Sequence, residues 1–472
     1  MGKAKEYCGL FGIFDCEDAV EKVYYGLYTL QHRGEESAGI ASSDGTGISH
    51  HKNLGLVNDV FTPEILKKLN NPHAIGHVRY STFGTSDLDN AQPLVVRYSK
   101  GEVAIAHNGQ LLDAGKLRED YELHGSIFHT TSDTEVIVHL MAKPGHVEKH
   151  NLSHVLNHLR GAFSLLFLTN EEMVGVRDPN GFRPLSLGKI NNSYVLSSET
   201  CALDQIGAEF IRDIEPGEVV YINKKGLKSE IYCSQRRIRP TYCIFELIYF
   251  SRPDSKIFGE SVHLFRRRLG MKLAEEYPVD ADIVIAVPEG GNSAALGFSA
   301  VSGIPLDRGF IRNHYVGRTF IQPEQGSRHR SVQLKLNAVS DVVRGKKVVV
   351  VDDSIVRGTT SKSRFGLLRK AGAREIHVRI SCPPHCFPCQ YGIDFQNKDE
   401  LIAANHSVEE IRKFLDVESL AYLSVEGMLK CATSPRNHFC TACFTGNYPV
   451  SYEAANKKSP KKEPKSKIEV TV

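Results

Sequence analysis

Lys346-Lys347-Val348-Val349-Val350-Val351-Asp352-Asp353-Ser354-Ile355-Val356-Arg357-Gly358-Thr359-Thr360-Ser361-Lys362 runs four consecutive valines into two adjacent aspartates. An apolar run of this length reads as a strand buried on both faces, as in a parallel sheet. Asp352 and Asp353 fall where that strand ends, and Arg357 to Ser361 make a small, hydroxyl-rich turn. A helical segment follows, stopping at Ala371-Gly372-Ala373. Ligands of open α/β sheets sit beyond the carboxyl ends of the strands. A helix N-terminus offers free N–H groups that suit a phosphate. The two acids would repel that phosphate, but they can accept hydrogen bonds from ribose hydroxyls or hold Mg²⁺ against a second phosphate. The residues therefore point to a sugar phosphate carrying a further charged group. The plain alternative is an ordinary strand and turn.

The neighbouring sequence extends this pattern. From Val262 helix and strand alternate, with a strand over Asp282 to Val287. The turn Pro288-Glu289-Gly290-Gly291-Asn292-Ser293 comes next, and a helix starts over Ala294 to Ala300. Amides of such a turn can cradle a pyrophosphate. Arg312 to Asn337, with Arg328, Arg330 and Lys335, is a basic, hydroxyl-containing loop; solvation alone also accounts for it.

The first half reads differently. Cys8-Gly9-Leu10-Phe11-Gly12-Ile13 places a cysteine at the start of a strand, close behind Met1. If residues 1–7 are removed, Cys8 gains a free α-amino group with an ordinary pKa near 8. That amine can act as the base for its own thiol. A small buried cysteine is the competing reading. Further polar segments follow: Gln31-His32-Arg33-Gly34-Glu35, Gly76-His77-Val78-Arg79-Tyr80-Ser81-Thr82, His107-Asn108-Gly109 and Ser132-Asp133-Thr134-Glu135. Asn108-Gly109 is expected to turn the chain tightly after a strand. Ser132 to Glu135 is expected to open a helix. The histidines His32, His77 and His107 are most simply core or strand-end residues. Arg177, Asp178 and Arg183 are expected to pair locally. Residues 235 to 255, with the apolar run Cys243 to Phe250, carry too little Gly or Ser for a loose linker and should pack between the halves.

Whole-chain properties exclude several classes. A chain of 472 residues accommodates two or more domains. The net charge of +3 gives no reason to expect nucleic acid. No stretch approaches the roughly 20 apolar residues that span a bilayer, and the polar start is no signal peptide. The expected location is the cytoplasm. Eleven cysteines then argue for metal or catalysis before disulfides. The pairs Cys386/Cys389 and Cys440/Cys443, taken alone, suggest a structural zinc held by four thiolates. The lysine-rich tail, residues 451–472, should be disordered.

Lys346 to Lys362 resembles the signature of type I phosphoribosyltransferases, and Cys8 to about residue 235 resembles the glutaminase half of class II glutamine amidotransferases. Together they are similar to one family, the amidophosphoribosyltransferases. The resemblance implies an α+β N-terminal nucleophile αββα sandwich (8–235), followed by an α/β phosphoribosyltransferase domain with a parallel sheet (255–450). It implies that Cys8 attacks glutamine through a thioester. Asn108 and Gly109 would form the oxyanion hole, with Arg79 on the glutamine carboxylate and Asp133 on its amine. Arg33 and Thr82 would support them. Released ammonia would displace pyrophosphate from phosphoribosyl pyrophosphate. Asp352 and Asp353 would hold ribose and Mg²⁺, with Ser354, Arg357, Gly358, Thr359, Thr360, Ser361 and Lys335 also contacting substrate. The basic loop would be a lid. A [4Fe–4S] cluster would sit on Cys243, Cys389, Cys440 and Cys443, and a homotetramer inhibited by purine nucleotides is implied. Glu35, Gly291 and His314 depart from the family pattern. They invite a second reading, a weakened relative that senses phosphoribosyl pyrophosphate or nucleotides. An amidotransferase with a sugar-isomerase half is opposed by Asp352-Asp353.

Overall fold

The computed structural model describes residues 8–80, 87–99, 101–142, 151–313, 336–395 and 397–450. Residues 1–7, Thr82, His314, Arg328, Arg330, Lys335 and the tail lie outside them, so the expectations placed there stay as stated.

The first half is two antiparallel sheets packed face to face. One has seven strands, with Gly9–Phe14 near its middle between Ser193–Ser197 and His73–Arg79. The other has six, with Gly101–Leu111 between Leu94–Tyr98 and Gly161–Leu168. Leu10, Phe14, Ile75, Ala104, Leu166 and Leu196 meet between the sheets. The outer faces pack on separate helices. Ala19–Thr29 and Thr200–Gln205 cover one sheet. Ala114–Leu123, Thr134–Ala142 and Asn151–His158 lie over the other. Both strands and helices are thus apolar on the sides they bury.

The second half carries a five-stranded parallel sheet in the order Leu306–Asp307, Ile283–Ala286, Lys347–Asp352, Glu375–Ile380 and Ser419–Tyr422. The valine run is its central strand, with Val348 to Val351 fully buried. Helices Val262–Glu276, Asn292–Ser302 and Thr359–Lys370 accompany it.

Cys243 to Phe250 packs into the core, ending in a π-helical turn at Glu246–Phe250. Just before it, Tyr242–Cys243 pairs in parallel with Phe439–Cys440. Two local expectations are corrected. Asn108-Gly109 does not end its strand: both residues remain paired, with Ser164 and Phe163, and the strand runs on to Leu111. Glycine permits this because Gly109 has φ +150° and a Cβ there would lie 2.0 Å from the Ala162 carbonyl oxygen. Arg177 gives its guanidinium to the carbonyls of Gly181, Arg183 and Ile214. Arg183 instead finds its acid 63 positions away, at Glu246. Among the described residues no helix is long and apolar enough to cross a membrane.

Candidate active sites and a thiol cavity

Cys8 immediately precedes the Gly9–Phe14 strand, and its Sγ lies 4.0 Å from the Tyr80 carbonyl oxygen. Burial pushes the thiol pKa up; the Tyr80 contact and the nearby Arg79 and Arg33 charges pull it back. An unassisted thiol here is therefore a poor nucleophile and needs a base. The Cys8 carbonyl accepts from Arg33 Nε at 3.2 Å. Gly34 makes that arrangement possible, since a Cβ there would lie 2.7 Å from Arg79 backbone atoms.

The second sheet supplies the facing groups. His77, which pairs with Leu10, places Nε2 3.0 Å from the His107 carbonyl and so joins the sheets one residue before Asn108. The Asn108 side chain is fully buried, and neither its oxygen nor its nitrogen finds a hydrogen-bond partner among the described residues. Leaving such an amide unmatched costs about 1–3 kcal/mol, a cost usually kept for a ligand. Asp133 accepts from Leu111 N at 2.8 Å and stands 3.5 Å from His107 Nδ1. Burial raises its pKa, yet His107, the Leu111 amide and Arg79 bring it below the ordinary value, so it is held as an anion. Arg79 is buried and close enough to act on both Cys8 and Asp133. The structure thus assembles Cys8, Arg79, Asn108, Gly109 and Asp133 around the facing sheets.

At the sheet end of the second half, Asp352, Asp353 and Ser354 are buried. Asp353 Oδ1 accepts from Ser354 Oγ at 2.6 Å, and Asp352 Oδ2 is 3.4 Å from Arg364 Nη1. The turn after Val287 presses onto these acids. A Cβ on Gly290 would lie 1.7 Å from Asp353 Oδ2, and one on Gly291 would lie 2.4 Å from the Val351 carbonyl. No hydroxyl-bearing side chain fits at 291 without a shift. Gly358, at φ +76°, caps the Thr359–Lys370 helix, whose first residues are the expected phosphate ligands Thr359, Thr360 and Ser361. Arg357 is ion-paired with Glu400, which sequence pattern gave no reason to expect.

Cys243, Cys389, Cys440 and Cys443 line one small cavity with Phe182, Ile393 and Tyr448. Cys386 does not: its Sγ points to the Ala403 carbonyl, while its amide binds the Cys443 carbonyl. The pairing suggested by the two Cys-x-x-Cys motifs is therefore replaced by a set that includes Cys243. Burial, then the neighbouring charges of the other thiols, raises the pKa of Cys440 and Cys443. Among the described residues no group of three or more His, Cys, Asp or Glu is placed to hold a metal ion.

Sequence reasoning missed Glu199, Glu246 and His385. Glu199 binds His32 Nε2 at 2.7 Å and Arg33 Nη1 at 2.6 Å. The signal for Glu246 was available: a lone carboxylate inside Ile244-Phe245-Glu246-Leu247-Ile248 must find a buried partner.

An αββα sandwich led by a cysteine, joined to a parallel sheet that ends in an acid pair, is the architecture of a two-domain glutamine-dependent transferase. A glutamine amidotransferase domain matches residues 77–205. The chain is 50% identical to the amidophosphoribosyltransferase of Bacillus subtilis, with 94% of each chain covered. It is 47% identical to that of Methanocaldococcus jannaschii, covering 94% of this chain and 98% of that one. The chain belongs to the amidophosphoribosyltransferase family. Among solved structures it resembles one described as the allosteric regulatory enzyme of purine biosynthesis, with TM-score 0.90, 49% identity and coverage of 95% and 97%. It also resembles the B. subtilis glutamine phosphoribosylpyrophosphate amidotransferase complexed with ADP and GMP, with TM-score 0.89, 49% identity and coverage of 95% and 98%.

Proposed function

We propose that Cys8, freed of residues 1–7, is the nucleophile that supplies ammonia to a second site built on Asp352 and Asp353. The overall reaction is that of the family: glutamine and phosphoribosyl pyrophosphate give 5-phosphoribosylamine, glutamate and pyrophosphate, the first step of purine synthesis. No observation favours the sensor reading.

The α-amino group of Cys8 takes the thiol proton, and Sγ attacks the glutamine carboxamide. Asn108 Nδ2 and the Gly109 N–H stabilise the oxyanion. Collapse of the intermediate expels ammonia and leaves a thioester, which water then cleaves to glutamate. Arg79 suits the α-carboxylate, as a planar guanidinium does, and anionic Asp133 suits the α-ammonium. The observation that carries this reading is the buried, unmatched amide of Asn108 beside Gly109. At the second site neutral ammonia attacks the sugar C1 and pyrophosphate leaves. The amides at Thr359 to Ser361 face the 5-phosphate and the acids hold the ribose. The acid pair fits Mg²⁺, a hard ion that keeps several waters and substrate oxygens; with glycine at 291, Asp352 and Asp353 are the side chains left to it. Lys335 is carried as a further substrate contact.

Cys243, Cys389, Cys440 and Cys443 would hold a [4Fe–4S] cluster, since four thiols line one small cavity that no carboxylate lines. The cluster is assigned a structural role. Purine nucleotides are expected inhibitors, since the B. subtilis relative is complexed with ADP and GMP; a homotetramer and a cytoplasmic location complete the reading.

The test is a pair of assays on Cys8→Ala. Glutamine-dependent pyrophosphate release should vanish while ammonia-dependent release persists; retained glutamine use would overturn the assignment.

A further inference from the structure

Arg33 is the group that holds the Cys8 carbonyl, and its guanidinium is fixed by two buried carboxylates. Glu199 Oε1 accepts from Nη1 at 2.6 Å. Glu246 takes the guanidinium in bidentate fashion, at 3.0 Å from Nη1 and 2.7 Å from Nη2. Glu246 belongs to the segment that connects the halves. It also accepts from Ser251 Oγ at 3.1 Å and from Arg183 Nη1 at 3.3 Å. Arg183 Nη2 donates to the Tyr391 carbonyl at 2.6 Å. Tyr391 precedes Gly392, which packs on Gly109. All three side chains of the Arg33–Glu246–Arg183 set are fully buried. One carboxylate thus ties the backbone of the nucleophile to the main chain lying against the oxyanion hole.

We propose that Glu246 is a positioning residue for glutamine hydrolysis, holding Arg33 on the Cys8 carbonyl and Arg183 on the Tyr391–Gly392 main chain. The proposal rests on Cys8 being the nucleophile. Charge alone does not do this. A bidentate fork fixes the guanidinium plane, which a single contact leaves free to rotate. Displacement of a reacting group by about 1 Å can cost about a hundredfold in rate.

The experiment uses the full-length enzyme carrying Glu246→Gln, with Glu246→Asp as a second variant that keeps the charge but shortens the reach. Glutamine-dependent kcat should fall about tenfold to a hundredfold in Glu246→Gln. The glutamine KM should change little, because Arg79 and Asp133 are untouched. Inactivation of Cys8 by an electrophilic glutamine analogue should slow in parallel. Glu246→Asp should lie between Gln and the parent. Ammonia-dependent turnover reports whether the second site is still folded. A folded variant with parental glutamine kcat overturns the proposal. So does an equal loss of both activities in both variants, which marks a purely structural role. Cys8→Ala, measured alongside, separates the two failures: if it still uses glutamine, the nucleophile assignment falls, whatever Glu246 does.

Discussion

Gly392 of the second half lies on Gly109 of the first: a Cβ built on Gly392 would come 3.3 Å from both the carbonyl carbon and oxygen of Gly109. Gly392 also has φ +96°, a region that L side chains rarely adopt. Gly392→Ala should therefore push on the oxyanion hole from outside. Glutamine-dependent activity should drop about tenfold or more, with ammonia-dependent activity largely kept. Parallel assays with the two nitrogen sources measure this, and equal rates with glutamine before and after substitution would contradict it.

Asn108→Ala removes one oxyanion donor. The glutamine kcat should fall about 10²- to 10³-fold, the range seen when such a donor is lost. Because the amide makes no protein hydrogen bond among the described residues, thermal stability should hold or rise slightly. A melting curve taken with the kinetics distinguishes this from misfolding.

Gly290→Ala drives a methyl group into the Asp353 carboxylate. The consequence falls on the second site, so both nitrogen sources should lose turnover together, and the KM for phosphoribosyl pyrophosphate should rise. A loss confined to glutamine would refute the placement of this turn over the acids.

Two histidines set an acid limit. Burial brings the pKa of His77 and of His385 down to about 3, although the His107 carbonyl and Asp353 respectively oppose it. Both rings are therefore neutral in the fold and become protonated readily once unfolded, where the value is near 6.5. Their contribution is complete above pH 6.5 and is lost as pH falls toward 3. His385, ringed by Phe245, Phe395 and Phe444, has no hydrogen-bond partner among the described residues. His385→Phe should flatten the stability curve over that window; denaturant titrations at pH 4 and 7 measure it.

Cys243→Ser should abolish bound iron and sulfide in anaerobically purified protein, whereas Cys386→Ser should retain both. Zinc without iron in the parent protein would sink the cluster assignment.

How much of this was readable beforehand depends on range. The central strand was legible because Val348 to Val351 is apolar on both faces, a local property. Cys8, Arg79, Asn108 and Asp133 were singled out in advance by the resemblance of their short segments to an amidotransferase half, not by residue type alone, and their roles belong to the proposal above. The Asn108-Gly109 turn was misread because a tightly turning dipeptide can also stay in a ladder when the facing backbone approaches closely. Arg33 and Glu246 were not paired in advance, since they stand 213 positions apart and no periodicity links charges at that distance. Arg357 was read toward the phosphate, and only the fold reveals Glu400 beside it.

The two-residue pairing of Tyr242–Cys243 with Phe439–Cys440 has a topological meaning. The chain enters the second half beside one of the last strands described in it, so that half is closed at a neck. Adjacent ends are what make a unit insertable and permutable. Cys8 must lead the chain to offer its α-amino group, so the sandwich keeps the first place, and the neck makes the second half the portion that can be exchanged as a unit.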